Sequence, residues 1–426
     1  MKVLVVSHNV FSLTESMGRT LGTYFSGWDK NDLAQFYIHS EVPTSNVCQN
    51  YFNLTDKDAI KSIFTRRCGR VLGKEDIQQD RNGTRTDTGV TAKIYQKGRK
   101  RTPLIYIARN LIWRFSGWKN KRLKNWLDEF NPDVVFFASG DYAFTYRIAL
   151  WMAKRKKIPL VVSCMDDYYL NNKNKNSFLG KVVHRKFMKQ VKRTVDYSSL
   201  LLTICDKMTK DYSELFNKKC VTVHTSSSFE GPLAGDKDNG IAYLGNLGYH
   251  RHIQLASMGK ILMQIDHPDL PKYIDVYSSE NRTHVLEWLT EENGIKFHGA
   301  VPYDQVKQII AKSMAVIHTE SFDEERRASV RYSVSTKIAD SLASGTCLLV
   351  YGADDIASVE YVIENQAALV ATNEEQLKEK LLCLVEEKNK VEQTIKNALE
   401  LAKKNHLPQV TTGIIKKSLE SCLLKN

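Results

Sequence analysis

The stretch 318-HTESFDEERRASVRYSVSTKIADSLASGTCLLVYG-352 decides how the chain folds. The apolar run Met314-Ala315-Val316-Ile317 precedes it, and Thr346 to Tyr351 closes it with a second one. Apolar runs this short read as strands buried on both faces. Between them a polar loop leads into a short amphipathic helix. Ser335 and Thr336 stand at its N-cap, Lys337 to Ser344 form its body, and Gly345 is the residue that ends it. A strand–loop–helix unit of a parallel sheet aims the helix N-terminus at the carboxyl edge. Free amides and the positive end of the helix dipole there suit a phosphate. Asp340, roughly one turn into the helix, carries an acceptor-only carboxylate that suits the two hydroxyls of a ribose, and Lys337 adds a cation. The same residues also fit an ordinary βαβ crossover with a polar loop and no ligand.

Outward from this unit the alternation of strand and helix continues. Ile241–Leu244, Ile274–Tyr277, Ile295–His298 and Ala368–Val370 read as strands. Helices are expected over Arg251–Gln264, around Val285–Leu289, over Pro302–Lys312, from about Ser358, and within 374–404. In the first half, Lys2–Ser7, Ala34–His39, Val134–Ala138, Leu160–Cys164, Ser199–Ile204 and Val221–His224 read as strands. Helices fall over Met17–Phe25, Tyr142–Lys156 and Lys181–Val195, and another follows Asp206 as its cap. Gly18, at the start of the first helix, lets a ligand or a neighbouring loop approach the backbone. Residues 43–103 carry no readable pattern, and Pro103–Glu129 reads as one or two basic amphipathic helices. At 426 residues the chain exceeds what one core supports. The expected architecture is α/β, with two Rossmann-like doubly wound domains. The first spans 1–225, Ser226–Gly240 is a small, polar, Gly- and Pro-bearing linker, and the second spans 241–405. Residues 406–426 are expected to form a C-terminal helix packing back on the first domain.

Composition narrows the class. A hydrophobic content of 42% with 26% charged residues describes a soluble globular protein, and no apolar run reaches the ~20 residues of a membrane span. The opening Met1 to Ser7 is too short and too β-branched for a signal peptide. The eight cysteines form no CxxC pair and no metal-ligand spacing, which fits reduced thiols in the cytoplasm and no metal site. The net charge of +13 is unevenly shared: residues 1–225 hold 39 Lys+Arg against 20 Asp+Glu, and the remainder holds 22 against 28. Segment 88–127 has eleven Lys/Arg and no acid, interleaved with Trp113, Phe115, Trp118 and Trp126. That pattern suits an anionic membrane surface or a nucleic acid, and equally a solvated basic face whose aromatics are core.

Four pieces of the second half follow one another in a telling order: Gly245-Asn246-Leu247 with Arg251, then Phe297-His298-Gly299-Ala300-Val301, then Lys337 through Gly345, then Leu348 to Gly352. Together they resemble the nucleotide-sugar domain of GT-B fold glycosyltransferases close to family 4, the glycosyltransferase group 1 enzymes. The resemblance implies two Rossmann-like domains facing each other across a cleft. It covers residues 235–370 and reaches the first half through architecture and a few positions, such as Thr203 to Lys207. It implies that Asp340 takes the place of the helix glutamate that binds the ribose, and Arg251 that of the turn lysine on the diphosphate. Asn246 stands where the family turn has an arginine, beside Gly245. Backbone amides from Ser333 to Thr336, including Ser335, would cradle the distal phosphate. The family pairs two glutamates eight positions apart, and Tyr332 occupies the first of those positions here, so Glu320, Asp323 and Glu324 are the acids left to fill that role. Retention and inversion both remain open.

Glycosyl transfer needs the charge on the leaving diphosphate stabilised. The resemblance implies helix dipole and cations rather than a metal, with the nucleotide-sugar as co-substrate and no further cofactor. Inversion also needs a base near the acceptor hydroxyl. Asp166 and Asp167, directly after Leu160–Cys164, are candidate bases, against the plainer reading of loop anchors. His8, after the first strand, is the next candidate, against that of a core histidine. Gly18 and Arg19 are expected to line the N-domain cleft near the donor phosphate. The expected function is transfer of a sugar from a nucleotide diphosphate, uridine rather than guanosine, to a lipid-linked or polysaccharide acceptor in cell-surface glycan synthesis. The enzyme is expected in the cytoplasm, peripheral at the inner face of the membrane, held through residues 88–127 with Trp113 and Trp118 as interface anchors. The alternatives are a non-hydrolysing nucleotide-sugar epimerase on the same fold and, against the paired nucleotide motifs, a basic nucleic-acid-binding protein.

Overall fold

A computed structural model describes residues 1–13, 16–65, 68–77, 102–171 and 177–424. Residues 88–101 of the basic segment, with Arg99, Lys100 and Arg101, lie outside them. The chain divides into two units, Met1–Val223 with Thr411–Asn426, and His224–Val410.

The first unit is built on strands β1 (Val3–Ser7), β2 (Leu33–Tyr37), β3 (Tyr51–Asn53), β4 (Arg70–Leu72), β5 (Val134–Ala138), β6 (Leu160–Cys164), β7 (Leu200–Thr203) and β8 (Cys220–Thr222), in the order β4-β3-β2-β1-β5-β6-β7-β8. Every pairing is parallel except β3 with β4. The central strands β1, β5 and β6 are buried at every position and mostly apolar, as strands covered by helices on both faces are. On one face, helix Ser16–Tyr24 and the part of helix Pro408–Leu423 beyond Thr411 share a core with the sheet: Leu21, Ile415 and Leu419 lie with Val3, Val5 and Phe136. On the other face Phe137 of β5 meets Tyr146 of helix Ala143–Lys156, and Tyr146 meets Phe187 of helix Phe178–Tyr197. Helices Pro103–Phe115 and Lys121–Phe130 complete this outer layer. The stretch that carried no readable pattern contains β3, β4 and helix Asp56–Thr65. Both strands are only three residues long, too short to show a period. The cap after β7 is Cys205 rather than Asp206, which is the first residue of helix Asp206–Phe216.

The second unit holds β9 (Ile241–Leu244), β10 (Ile274–Tyr277), β11 (Ile295–Gly299), β12 (Ala315–Thr319), β13 (Cys347–Tyr351) and β14 (Leu369–Ala371), all parallel, in the order β11-β10-β9-β12-β13-β14. Alternate residues feed two cores. Ile317, Leu349 and Tyr351 pack with Leu255, Met258 and Leu377 on one side. Val316, Leu348 and Val350 pack with Ile338, Leu342, Val359 and Leu401 on the other. Two expectations change here. The polar loop after β12 contains a helix, Glu324–Val330, because Asp323 caps it by accepting from the Arg326 amide at 3.0 Å. Ser226–Gly240 is packed chain rather than a loose tether. Phe229 is buried in the second core, the Leu233 amide donates to the Ser344 carbonyl at 2.9 Å, and the Asp238 amide donates to the Lys312 carbonyl at 2.7 Å.

Candidate functional site

In an open α/β sheet the crevice for a ligand lies beyond the carboxyl ends of the strands where the order reverses. In the second unit that point is between β9 and β12, which are neighbours although one begins and the other follows the first half of the sheet. The loops leaving these two strands carry Gly245 and Glu320.

Gly245 has φ +144, open to glycine alone, and a β-carbon there would occupy the space of the Lys337 ammonium. Lys337 comes from the first turn of helix Thr336–Ala343. Its Nζ reaches the Tyr243 hydroxyl at 3.4 Å and lies 4.7 Å from the centre of that ring. Tyr243 is buried, and its hydroxyl donates to the Asn246 carbonyl at 2.5 Å. Arg251, at the start of helix Arg251–Met263, grips Glu320 with two bonds, Nη2 to Oε1 at 2.6 Å and Nε to Oε2 at 3.2 Å. Its Nε also donates to the Thr319 carbonyl at 3.2 Å. Glu320 is 1% exposed, so this ion pair is held out of water. His318 donates or accepts at Ser358 Oγ, 3.1 Å away, and sits 3.5 Å from Glu320.

The charges in this cluster act on one another. Burial pulls the Arg251 guanidinium down, and Glu320 more than restores it. Burial pushes the Glu320 carboxyl up, against the pull of Arg251 and Lys337. His318 is driven well below its usual value by burial, then by Arg251 and Lys337, and is neutral. Lys337 falls to about 7, by burial first and by Arg251 second, with Glu320 opposing. Two cations therefore share one carboxylate, and the second cation holds its proton weakly near neutrality. An arriving anion would complete the balance and restore the full charge of Lys337.

The remaining donor-side residues have local duties. Asn246 Oδ1 accepts the Gly248 amide at 2.6 Å and shapes the turn after β9. Ser335 is the N-cap, its Oγ accepting the Lys337 amide at 3.3 Å, and Thr336 opens the helix. The Ser333 amide donates to the Val330 carbonyl at 2.8 Å, so it is not aimed at a ligand. Asp323 caps its own helix. Asp340 Oδ1 accepts the Ser228 amide at 2.6 Å and the Ser227 hydroxyl at 3.1 Å, which ties the helix to the chain entering this unit.

In the first unit the order reverses between β1 and β5. His8 follows β1. The buried Gln35 side chain fixes this loop, accepting the Phe11 amide at 3.0 Å and donating to Ser7 Oγ and the Asn9 carbonyl. The His8 ring lies 6.2 Å from Tyr142, which follows β5, and 5.8 Å from His39. It is lowered to about 4, chiefly by burial, then by Arg109 and His39. Arg109 lies over the Tyr142 ring at 3.9 Å and pairs with Asp56 at 2.9 Å. Tyr106 donates to Asp141 at 2.7 Å. Sequence reasoning missed Asp56, Arg109, Tyr106, Asp141 and Tyr142. Asp141 and Tyr142 were findable as the residues following β5 at the reversal. Asp56 lay in the unread stretch, and Arg109 in a helix read only as basic.

The other first-unit candidates sit apart from this group. Asp167 is buried and anchors its loop, accepting the Leu170 amide at 2.9 Å and the Tyr212 hydroxyl at 2.7 Å. Asp166 accepts the Asp167 amide at 2.8 Å. The space a Gly18 side chain would need is filled by Val10 and Ser12 of the chain's own loop, so no ligand approaches there, and Arg19 is exposed. Trp113 and Trp118 are 1% and 7% exposed. Trp113 stacks on Phe144 at 4.6 Å and donates to Asp56, and Trp118 packs on Trp151, so both are core rather than interface anchors.

Residues 268–412 match the family model described as Glycosyl transferase-like. No curated protein matches the chain by sequence. Solved structures share the two-domain fold of GT-B glycosyltransferases. Sucrose-phosphate synthase from Thermosynechococcus elongatus is 9% identical, with full coverage of both chains and a TM-score of 0.60. Anabaena HepE, solved with UDP and glucose, is 11% identical over 99% of this chain and 100% of that one, with a TM-score of 0.57. The pneumococcal O-GlcNAc transferase GtfA, solved with UDP and GlcNAc, is 14% identical over 72% of this chain, with a TM-score of 0.50. The match spans 61% of the length of GtfA.

Proposed function

We propose that this glycosyltransferase of GT-B fold takes its sugar from a uridine diphosphate donor held beyond the ends of β9 and β12. It hands that sugar to a lipid-linked or polysaccharide acceptor in cell-surface glycan synthesis. One observation carries the donor half: Lys337 and Arg251 converge on a single carboxylate at the point where the sheet order reverses. The diphosphate is the missing anion. As the glycosidic bond breaks, charge grows on its terminal oxygens. The Lys337 ammonium, Arg251 and the positive end of helix Thr336–Ala343 are fixed in place and meet that charge without reorganising. Uridine is favoured because HepE and GtfA were solved with UDP. A ribose taken by Asp340 would share its carboxylate with Ser227 and Ser228.

On the acceptor side we assign proton removal to His8 rather than to Asp166 or Asp167. His8 stands at the reversal of its own sheet with a neutral imidazole, and Asp56 and Asp141 oppose the burial that lowers it, so they would support the proton it takes. The basic excess of the first half would hold the enzyme on an anionic membrane carrying the acceptor. No helix among the described residues is long and apolar enough to cross a membrane.

The test is a thermal-shift comparison of UDP, GDP and their sugar conjugates, because a ligand of the native state raises its melting temperature by mass action. Stabilisation by UDP and its sugars over GDP is expected. Equal shifts would remove the uridine assignment, and none would remove the donor site. Product analysis with donor alone separates transfer from epimerisation, since an epimerase turns over without acceptor.

A further inference from the structure

The outer helical layer of the first unit holds two adjoining open cavities, of about 290 and 730 Å³. Arg114, Arg147 and Gln190 line both. The larger one adds Lys119, Lys154 and Arg193, and no carboxylate lines it. It extends along the second half of helix Ala143–Lys156, at Trp151 and Lys154, toward the amino edge of the sheet and away from His8.

Its electrostatics are unbalanced. Arg147 is half-buried and donates to the Asn110 carbonyl at 3.3 Å. Among the described residues no acid pairs with Arg114, Lys119, Arg147, Lys154 or Arg193. Burial lowers Arg147, and Arg114 lowers it further. Lys119 is lowered by burial, then by Arg147 and Lys124. Arg114, Lys119, Lys154 and Arg193 are exposed and solvated, whereas Arg147 is half-buried with these cations around it, so an anion seated against Arg147 would relieve their repulsion. The walls identify the kind of anion. Phe115, 67% exposed, and Ile63, 38% exposed, line the same recess, and Leu111, 47% exposed, lines its neighbour. A free phosphate gains nothing from an apolar rim of Phe115 and Ile63. A lipid headgroup, with acyl chains beside its phosphate, matches both features.

We infer that this cavity binds the phosphate headgroup of an anionic membrane lipid, with Arg114 and Arg147 at its centre and Phe115 and Ile63 entering the apolar layer. The larger cavity shares no lining residue with the His8 group, while the smaller one beside it reaches Tyr106 and Asp141. The inference builds on the membrane part of the proposed function and is independent of the donor chemistry.

The experiment is co-sedimentation of the full chain with phosphatidylcholine vesicles, with and without phosphatidylglycerol, at matched ionic strength. Arg114→Gln, exposed and safe for folding, and the double variant Arg114→Gln/Arg147→Gln are compared with Lys210→Gln/Lys219→Gln, which removes two exposed charges elsewhere on the same unit. Binding to phosphatidylglycerol vesicles should fall about fivefold for each arginine removed, and the lysine pair should change it less than about twofold. Equal losses in the two double variants would mean diffuse attraction and overturn the site, as would no binding by the wild type. Release by millimolar inorganic phosphate at the same ionic strength would make the ligand a free anion and overturn the lipid assignment. UDP-induced thermal stabilisation, measured on every variant, reports folding and the donor reading separately, so either can fail alone.

Discussion

At the β9–β12 crevice Lys337 and Arg251 face one carboxylate, Glu320. At the β1–β5 crevice one cation, Arg109, faces Asp56, and Asp141 stands nearby against Tyr106, with the neutral His8 among them. Both crevices arise from the same topological accident, a parallel sheet that starts in the middle and grows outward on both sides. The chemistry differs because a handful of residues after the strand ends differ. An excess of cation suits a diphosphate, and an excess of acid around an unprotonated imidazole suits removal of a hydroxyl proton. The fold supplies the place, and the loop residues supply the task.

The comparison breaks most visibly at Arg251. Arg251→Ala strands Glu320 without its partner in a buried site, and should cost about 3–5 kcal/mol of stability by urea denaturation at neutral pH. A loss below about 1 kcal/mol would show that Glu320 is not held as an ion pair. The corresponding break on the acceptor side is kinetic. His8→Gln should lower turnover by about 10²–10⁴-fold, the range of a general base, while UDP still stabilises the chain. If Asp166→Asn shows that loss and His8→Gln does not, the base belongs to β6.

Lys337 sharpens the contrast through pH. Its ammonium is lowered to about 7, so it is charged below that pH and loses the charge above it, and a diphosphate held beside it would lose that attraction too. UDP affinity should therefore fall as pH rises through about 7, and Lys337→Met should bind about tenfold or more weakly at pH 6 with a flatter profile. The linked effect on stability has the opposite sign. Between about 7 and the ~10.4 of a free lysine the unfolded chain holds a proton that the folded one lacks, so the Lys337 contribution favours folding increasingly as pH rises. A UDP affinity with the same pH profile in wild type and Lys337→Met would remove the amine from the site. The smallest effect is expected at Asp340. Asp340→Ala should weaken UDP binding and lower stability together, about 1–3 kcal/mol in all, because the one carboxylate also holds Ser227 and Ser228. A fall in stability with unchanged UDP affinity would leave it as an anchor only.

Much of the second unit was legible because its strands announce themselves. Cys347–Tyr351 is apolar at every position and buried at every position, and Ser335 caps the helix it precedes. The first unit was legible only where strands were long. Tyr51–Asn53 and Arg70–Leu72 are too brief for any period, and they pair across a helix that sequence alone did not reveal. The tryptophans misled for a different reason. A basic segment with aromatics reads alike whether the rings face a membrane or a core, and Trp113 turned inward because Phe144 offers a stacking partner and Asp56 an acceptor. The placing of Lys337 against Gly245 was also out of reach. The two are far apart in sequence, and only the folded φ of Gly245 shows that the missing side chain makes room for the amine.

The strap from Ser226 to Gly240 bears on how such an enzyme can be recombined. A fragment cut at Ile241, where the first strand of the unit begins, would lose Phe229 from its core and strip Ser227 and Ser228 from Asp340. A fragment running from His224 to Val410 keeps both, together with the hydrogen bonds of Thr225 and Ser227 to His406. The seam of this unit therefore lies upstream of its first strand, and chimeras joined there would keep its core and the tie from Asp340 to Ser227 and Ser228 complete.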